Sequence, residues 1–180
     1  MLPCLRTERL VLAPLAERHL ERFLAVAGSR VIADTTISVP HPLTEEAARA
    51  WIRRAVAESR EGLAAHFAVA IPPDDETLVG YAAIKDIDCE HNEAELNFWL
   101  DAGFGGRGYA TEAAAAVVTL GFEALDLNRI EAYHMVRNPA SGRVLAKLGF
   151  HQEGCLRQRV RKWGSYEDVL LWSQLRQDPS

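Results

Sequence analysis

The segment Gly103-Phe104-Gly105-Gly106-Arg107-Gly108-Tyr109-Ala110 holds four glycines within six residues, between an alternating stretch and an alanine-rich one. A strand that feeds a glycine loop opening a helix is a device for binding anions. The first amides of a helix have no internal partner, and the macrodipole places about half a positive charge there. Glycines let the backbone approach a diphosphate closely and take positive φ. Gly105, Gly106 and Gly108, with the amides of Arg107, Tyr109 and Ala110, can converge on one ligand. Arg107 can add a forked donor. A tight strand-to-helix connection alone would need fewer glycines.

The same residues satisfy G-x-G-x-x-G, so a dinucleotide has to be weighed. A Rossmann unit needs an acidic residue at the end of the next strand for the ribose. That strand ends in Val136-Arg137-Asn138, without a carboxylate. The strand before the loop carries Glu95 and Asn97, where a central parallel strand should be apolar on both faces. A Walker loop fails because Tyr109, not lysine, follows Gly108. Both nucleotide-loop readings therefore fit the flanking residues poorly.

The elements that must position this loop follow from patterning. Arg9–Leu12 reads as a first strand stopped by Pro14, and Glu17–Val26 has helical spacing. Thr44 is placed to cap a helix from Glu45 to about Ser59. His66–Ile71 and Leu78–Ile84 read as a hairpin about the turn Pro72-Pro73-Asp74-Asp75. Glu93–Leu100 alternates, with Ala94, Leu96, Phe98 and Leu100 on one face and Glu95, Asn97 and Trp99 on the other. A helix over Tyr109–Leu125, a strand over Arg129–Val136 and a helix over Ala140–Leu148, ended by Gly149, come next. Extended runs at His151–Arg161 and Asp168–Ser173 close the chain. A meander followed by strand-helix-strand-helix-strand implies an α/β fold with a mixed sheet covered by helices.

The 180 residues suit one domain, 1–180, with ample core. An apolar share of 48% and a charged share of 25% are those of an ordinary globular protein. No apolar run approaches the ~20 residues of a membrane helix, and Arg6, Glu8 and Arg9 stand where a signal peptide is apolar. A cytoplasmic chain without membrane association is expected. A net charge of -5 argues against nucleic-acid binding. The basic residues Arg157, Arg159, Arg161 and Lys162 alternate largely as on the wet face of a strand. Cys4, Cys89 and Cys155 are far apart, and neither C-x-x-C nor H-E-x-x-H occurs, so no metal is expected.

Three ordered motifs carry a resemblance. Thr7-Glu8-Arg9-Leu10-Val11-Leu12 is similar to the opening T-E-R-L-x-L of the RimJ/RimL ribosomal-protein branch of the GNAT N-acetyltransferases. Ala94-Glu95-Leu96-Asn97-Phe98-Trp99-Leu100, followed by Gly105-Gly106-Arg107-Gly108-Tyr109-Ala110, resembles that branch's central strand and its acetyl-CoA loop, Q/R-x-x-G-x-G/A. Asn138-Pro139-Ala140-Ser141-Gly142-Arg143-Val144-Leu145-Ala146-Lys147-Leu148-Gly149-Phe150 resembles N-x-x-S-x-r-v-l-x-K-l-G-F. The resemblance covers almost the whole chain. It implies the GNAT fold: a mostly antiparallel sheet of about seven strands, helices on both faces, and a splayed strand pair that admits acyl-CoA. The departures are Gly105 for a frequent Gln, Arg or Trp, Asn97 for Gly, and Ala13 for Arg. Leu145 stands where many relatives place a Tyr acting as general acid, so that role has no counterpart here.

Acetyl transfer from a thioester needs a neutral amine, a donor for the oxyanion and a proton for the departing thiolate. Juxtaposing both substrates supplies much of the acceleration without a covalent enzyme intermediate. Glu95, on the polar face of the strand entering the loop, is the candidate base, directly or through water. The resemblance implies that Asn138 holds the coenzyme arm and that Ser141 reaches its sulfur, donating a hydrogen bond to the thiolate; Asn138-Pro139 is also an N-cap signal. It further implies backbone contacts to the pantetheine arm after Trp99, at Leu100. Arg143 and Lys147 can approach the anionic coenzyme, whereas His134 reads as a packed or edge residue.

Acetyl-CoA is thus the expected co-substrate, without a metal. The acceptor is an amine, either a protein N-terminus or a small amine. An acidic loop, Asp86, Asp88, Glu90 and Glu93, suggests a cationic one. Specificity is expected from Val31 to Pro42 and from this loop. Relatives are often homodimers. The alternatives are a catalytically silent acyl-CoA sensor or interaction module and a dinucleotide oxidoreductase.

Overall fold

The computed structural model describes residues 2–73 and 77–178. Asp74 and Asp75 of the expected turn lie outside them. The elements run β1 (Leu5–Arg6), β2 (Val11–Pro14), α1 (Leu20–Ala27), α2 (Arg30–Thr35), α3 (Glu45–Glu61), β3 (Ala65–Ala70), β4 (Gly80–Asp88) and β5 (Glu93–Leu100). They continue with α4 (Tyr109–Glu123), β6 (Arg129–Met135), α5 (Pro139–Lys147), β7 (His151–Lys162) and β8 (Ser165–Leu175).

The strands form one sheet in the order β1-β2-β3-β4-β5-β6-β8-β7. Its eight strands are one more than expected, the addition being the two-residue β1. Pro14 is the last residue of β2 rather than its stop. β1 flanks only Val11 and Leu12, so the proline falls where one side of the strand is free. Every neighbouring pair is antiparallel except β5 with β6.

Two hydrophobic clusters cover the two faces. Phe67, Ala82, Ile84, Ala94 and Leu96 turn to the face covered by α4 and α5 through Ala113, Ala114, Val117 and Leu145. Ala68, Tyr81, Ala83 and Trp99 turn to the other face, covered by α1–α3 through Phe23, Ile32 and Ile52. Period-2 alternation therefore feeds both cores, and β3 is buried at every residue. Thr44 caps α3 by accepting from the Ala47 amide, and Gly62 ends it in the left-handed region. α2 was not expected from the sequence; six residues give too short a periodic signal, although Ser29 caps it. No helix among the described residues is long and apolar enough to cross a membrane.

Candidate active site

The site begins where the sheet parts. β5 and β6 pair in register only from Glu93↔Arg129 to Leu96↔Ala132. Beyond that point β5 stays with β4 as far as Gly80↔Leu100, while β6 stays with β8 as far as Met135↔Val169. The two halves of the sheet diverge, and Asn97–Leu100 face Tyr133–Met135 across an open seam. This is the splayed pair expected from the resemblance.

A cleft of about 330 Å³ opens on one side of the seam. It is lined by Trp99, Leu100, Gly105, Gly106, Gly108, Tyr109, Ala110, Asn138, Ser141 and Arg143, all anticipated, and by Phe98, Phe104, Val144 and Lys147. Gly108 is the N-cap of α4, held at φ 82°, and no side chain caps the helix. Gly106 also has positive φ, 75°. Both torsions suit glycine and leave the first amides of α4 facing the cleft without a competing side chain. These features fit a diphosphate. Trp99 contributes beside the seam but not with its ring, which is buried against Phe23 and Tyr81 in the core under α1–α3. Arg107 does not line the cleft; its carbonyl accepts from Nη1 of Arg9 at 2.9 Å.

Arg9 belongs to a clamp that motif matching placed but did not explain. Glu112, in the first turn of α4, accepts from Thr7 Oγ1 at 2.6 Å and from the Arg9 amide at 2.8 Å. Its other oxygen accepts from Arg9 Nε at 2.7 Å and pairs with Nη2 at 2.6 Å. Burial pushes the Glu112 carboxyl up, but the bonds from Thr7 and Arg9 outweigh it and hold it below the usual range. The Arg9 guanidinium also lies 4.8 Å from the centre of the Tyr109 ring. The N-terminal T-E-R segment thus ties the β1–β2 turn to the glycine loop.

A second cleft, of about 280 Å³, lies across the seam and includes Lys85, Glu95, Asn97, Tyr133, His134 and Arg159. The clefts meet at Phe98, Ser141, Thr35 and Thr36, which line both. Glu95 pairs with Lys85 at 2.8 Å, and Lys85 also holds Asp86 at 2.5 Å. Burial lowers the Lys85 pKa, yet the bonds to Asp86 and Glu95 leave it raised. Tyr133 donates to Glu131 at 2.5 Å; burial and that bond raise the phenol.

His134 is a packed residue. Its Nδ1 faces the Met135 carbonyl at 2.9 Å, and Nε2 accepts from Trp172 at 3.0 Å, so neither nitrogen is free to shuttle a proton. Gly142 is required against it, because a Cβ there would come within 2.8 Å of Nε2.

Asn138 occupies the N-cap position of α5 but does not cap with its side chain. Its amide donates to Ser141 Oγ and to the Thr35 carbonyl, both at 3.0 Å. The first bond occupies an acceptor site of Ser141 and leaves the hydroxyl proton available. The second holds the C-terminal end of α2 over the junction of the clefts. Lys162 holds the next stretch, donating to the carbonyls of Thr36 at 2.9 Å and Val39 at 2.8 Å. It was expected on a wet strand face; instead it is buried, and burial together with Arg137 lowers its pKa. The acidic loop lies off this second cleft. Asp86 is taken by Lys85, and Asp88 accepts the amides of Glu90 and His91 at 2.8 and 3.0 Å. No group of residues suited to a metal ion occurs among the described residues.

An open seam in a mixed sheet, with an uncapped helix end on one side and a polar cleft on the other, is the architecture of an acyl-carrier-dependent transferase. The model of the acetyltransferase (GNAT) domain matches residues 9–151, and the chain belongs to that family. Among its relatives, an uncharacterized N-acetyltransferase, p20, of Bacillus licheniformis is 35% identical over 120 residues, 67% of each chain. The ribosomal-protein-serine acetyltransferase of Escherichia coli is 26% identical over 94% of each. The structure of RimL, a ribosomal L7/L12 alpha-N-protein acetyltransferase in complex with coenzyme A, superposes with a TM-score of 0.87 at 20% identity. That match covers 96% of this chain and 98% of the other.

Proposed function

We propose that the protein transfers an acetyl group from acetyl-CoA to a peptide α-amine, by direct attack with both substrates bound across the seam. The observation that carries the reading is the meeting of the two clefts at Ser141. One cleft offers the free amides of α4 to a diphosphate; the other offers a carboxylate to an amine. The peptide acceptor is supported by the relatives described as ribosomal-protein acetyltransferases.

The amine nitrogen attacks the thioester carbonyl, the carbon–sulfur bond breaks, and the thiolate leaves. Glu95 takes the proton released by the amine, directly or through water, while the ion pair with Lys85 at 2.8 Å orients its carboxylate. Ser141 donates its free O–H to the departing sulfur. Asn138 orients that hydroxyl by occupying its lone pair, and Leu100, Gly105, Gly106, Gly108, Tyr109, Ala110 and Arg143 border the acyl carrier.

Thiol release with a panel of free-amine peptides and small amines tests the proposal. Ser141→Ala should lower kcat by roughly 10–100-fold, the scale of one hydrogen bond to a charged group, while calorimetry still detects acetyl-CoA binding. Glu95→Gln should lower kcat while acetyl-CoA binding persists. Tight acetyl-CoA binding without turnover on any amine would replace the transferase with a sensor.

A further inference from the structure

We propose that the acceptor cleft selects peptides with carboxylates just behind the reacting α-amine, and that Arg159 reads them. The inference rests on the peptide-acceptor reading.

The charged side chains lining this cleft are Lys85, Glu95 and Arg159. Lys85 is held between Glu95 at 2.8 Å and Asp86 at 2.5 Å. Arg159 has no hydrogen-bonding or ion-pair partner among the described residues. Its position is built by the strand. β7 and β8 pair at Leu156↔Val169 and again at Val160↔Glu167, so Arg157, Gln158 and Arg159 stand opposite Asp168 alone. A bulge of this kind frees residues from the ladder and re-aims their side chains. Gln158 turns through the left-handed region at φ 53°, and its amide donates to Asp168 Oδ1 at 2.7 Å. Asp168, opposite the bulge, makes this backbone bond and no ion pair with Arg159 among the described residues.

Arg157 and Arg161 are exposed on the same strand and likewise unpaired among the described residues. Arg159 therefore presents an unpaired guanidinium at the wall of the cleft, with Arg157 and Arg161 exposed beyond the lining on the same strand. It attracts an anionic chain and repels a cationic one. The carboxylates of the 86–93 loop lie outside the cleft lining, with Asp86 held by Lys85.

The test is steady-state acetylation of peptides with a free α-amine that differ only in Asp against Asn at the second and third residues. The Asp peptide should be favoured in kcat/KM by roughly three- to tenfold at low salt, and the preference should shrink as salt screens it. Arg159→Gln should bring the ratio near one, Arg159→Lys should restore part of it, and Arg53→Gln on the exposed face of α3 should leave the ratio unchanged. Equal rates for the two peptides, or a preference that survives Arg159→Gln, overturns the inference alone. Turnover of small amines with no turnover of any peptide overturns the peptide reading and this inference together.

Discussion

Removing the Arg9 side chain should weaken acetyl-CoA binding from a distance. Arg9 makes two contacts to Glu112 at 2.7 and 2.6 Å, one to the Arg107 carbonyl at 2.9 Å, and a cation–π contact at 4.8 Å. The arginine is 43% exposed and Glu112 16%, so the ion pair lies between surface and buried cases. That places it at about 1 kcal/mol, with the carbonyl bond and the ring contact adding about 0.5 kcal/mol each. Arg9→Ala should therefore cost about 2 kcal/mol, a fall in Tm of roughly 4–8 °C for a chain of this length. It also leaves the Glu112 carboxylate without its cation in the first turn of α4, beside the glycine loop. If about 1.4 kcal/mol of the loss reaches the loop, KM for acetyl-CoA rises about tenfold. Because the added defect is repulsion, Glu112→Ala in the same chain should recover part of the affinity, making the pair less than additive. Thiol-release kinetics and calorimetry read both effects. An unchanged KM in Arg9→Ala, or full additivity in the double variant, refutes the reasoning.

Gly142→Ala sets two effects against each other. Alanine favours the helix by about 0.5–1 kcal/mol, but its Cβ would meet a His134 ring already fixed on both nitrogens, an overpacking that costs about 1–3 kcal/mol. Tm should fall by a few degrees and kcat with it, as α5 carries Ser141 away from the seam; calorimetry and kinetics check this. Acid should unfold the protein in two overlapping stages. Burial, with Arg18 adding, lowers His19 from 6.5 to about 4, so the unfolded chain takes up that proton first and stability falls as pH drops through this window. The Arg129 hydrogen bond, then that from Ser173, lowers Glu153 from 4.5 to about 2, so its contribution is complete above pH 4.5 and lost on the way to pH 2. Thermal melts across pH should show His19→Gln flattening the first stage and Glu153→Gln the second.

Local patterning determined much of this protein. Alternation in Glu93–Leu100, the Thr44 cap, the glycine loop and the alanine-rich helix are decided by residues near one another in the chain, and they place the uncapped end of α4 without a structure. The seam, by contrast, depends on where β5 and β6 stop pairing, a property of how two halves of a twisted sheet diverge. Asn138 shows the limit of a local reading. Asn-Pro signals a cap, yet the Asn138 oxygen makes no cap bond, and its Nδ2 donates to the Thr35 carbonyl, 103 residues away, a contact that only the tertiary fold supplies. Lys162 likewise reads as a wetted strand residue and is instead buried under the carbonyls of Thr36 and Val39. The Lys85–Glu95 pair, the clamp of Arg9 on Glu112 and the aim of Arg159 share that origin. Charges and donors are visible in a sequence, but which of them are already satisfied is decided only when distant segments meet.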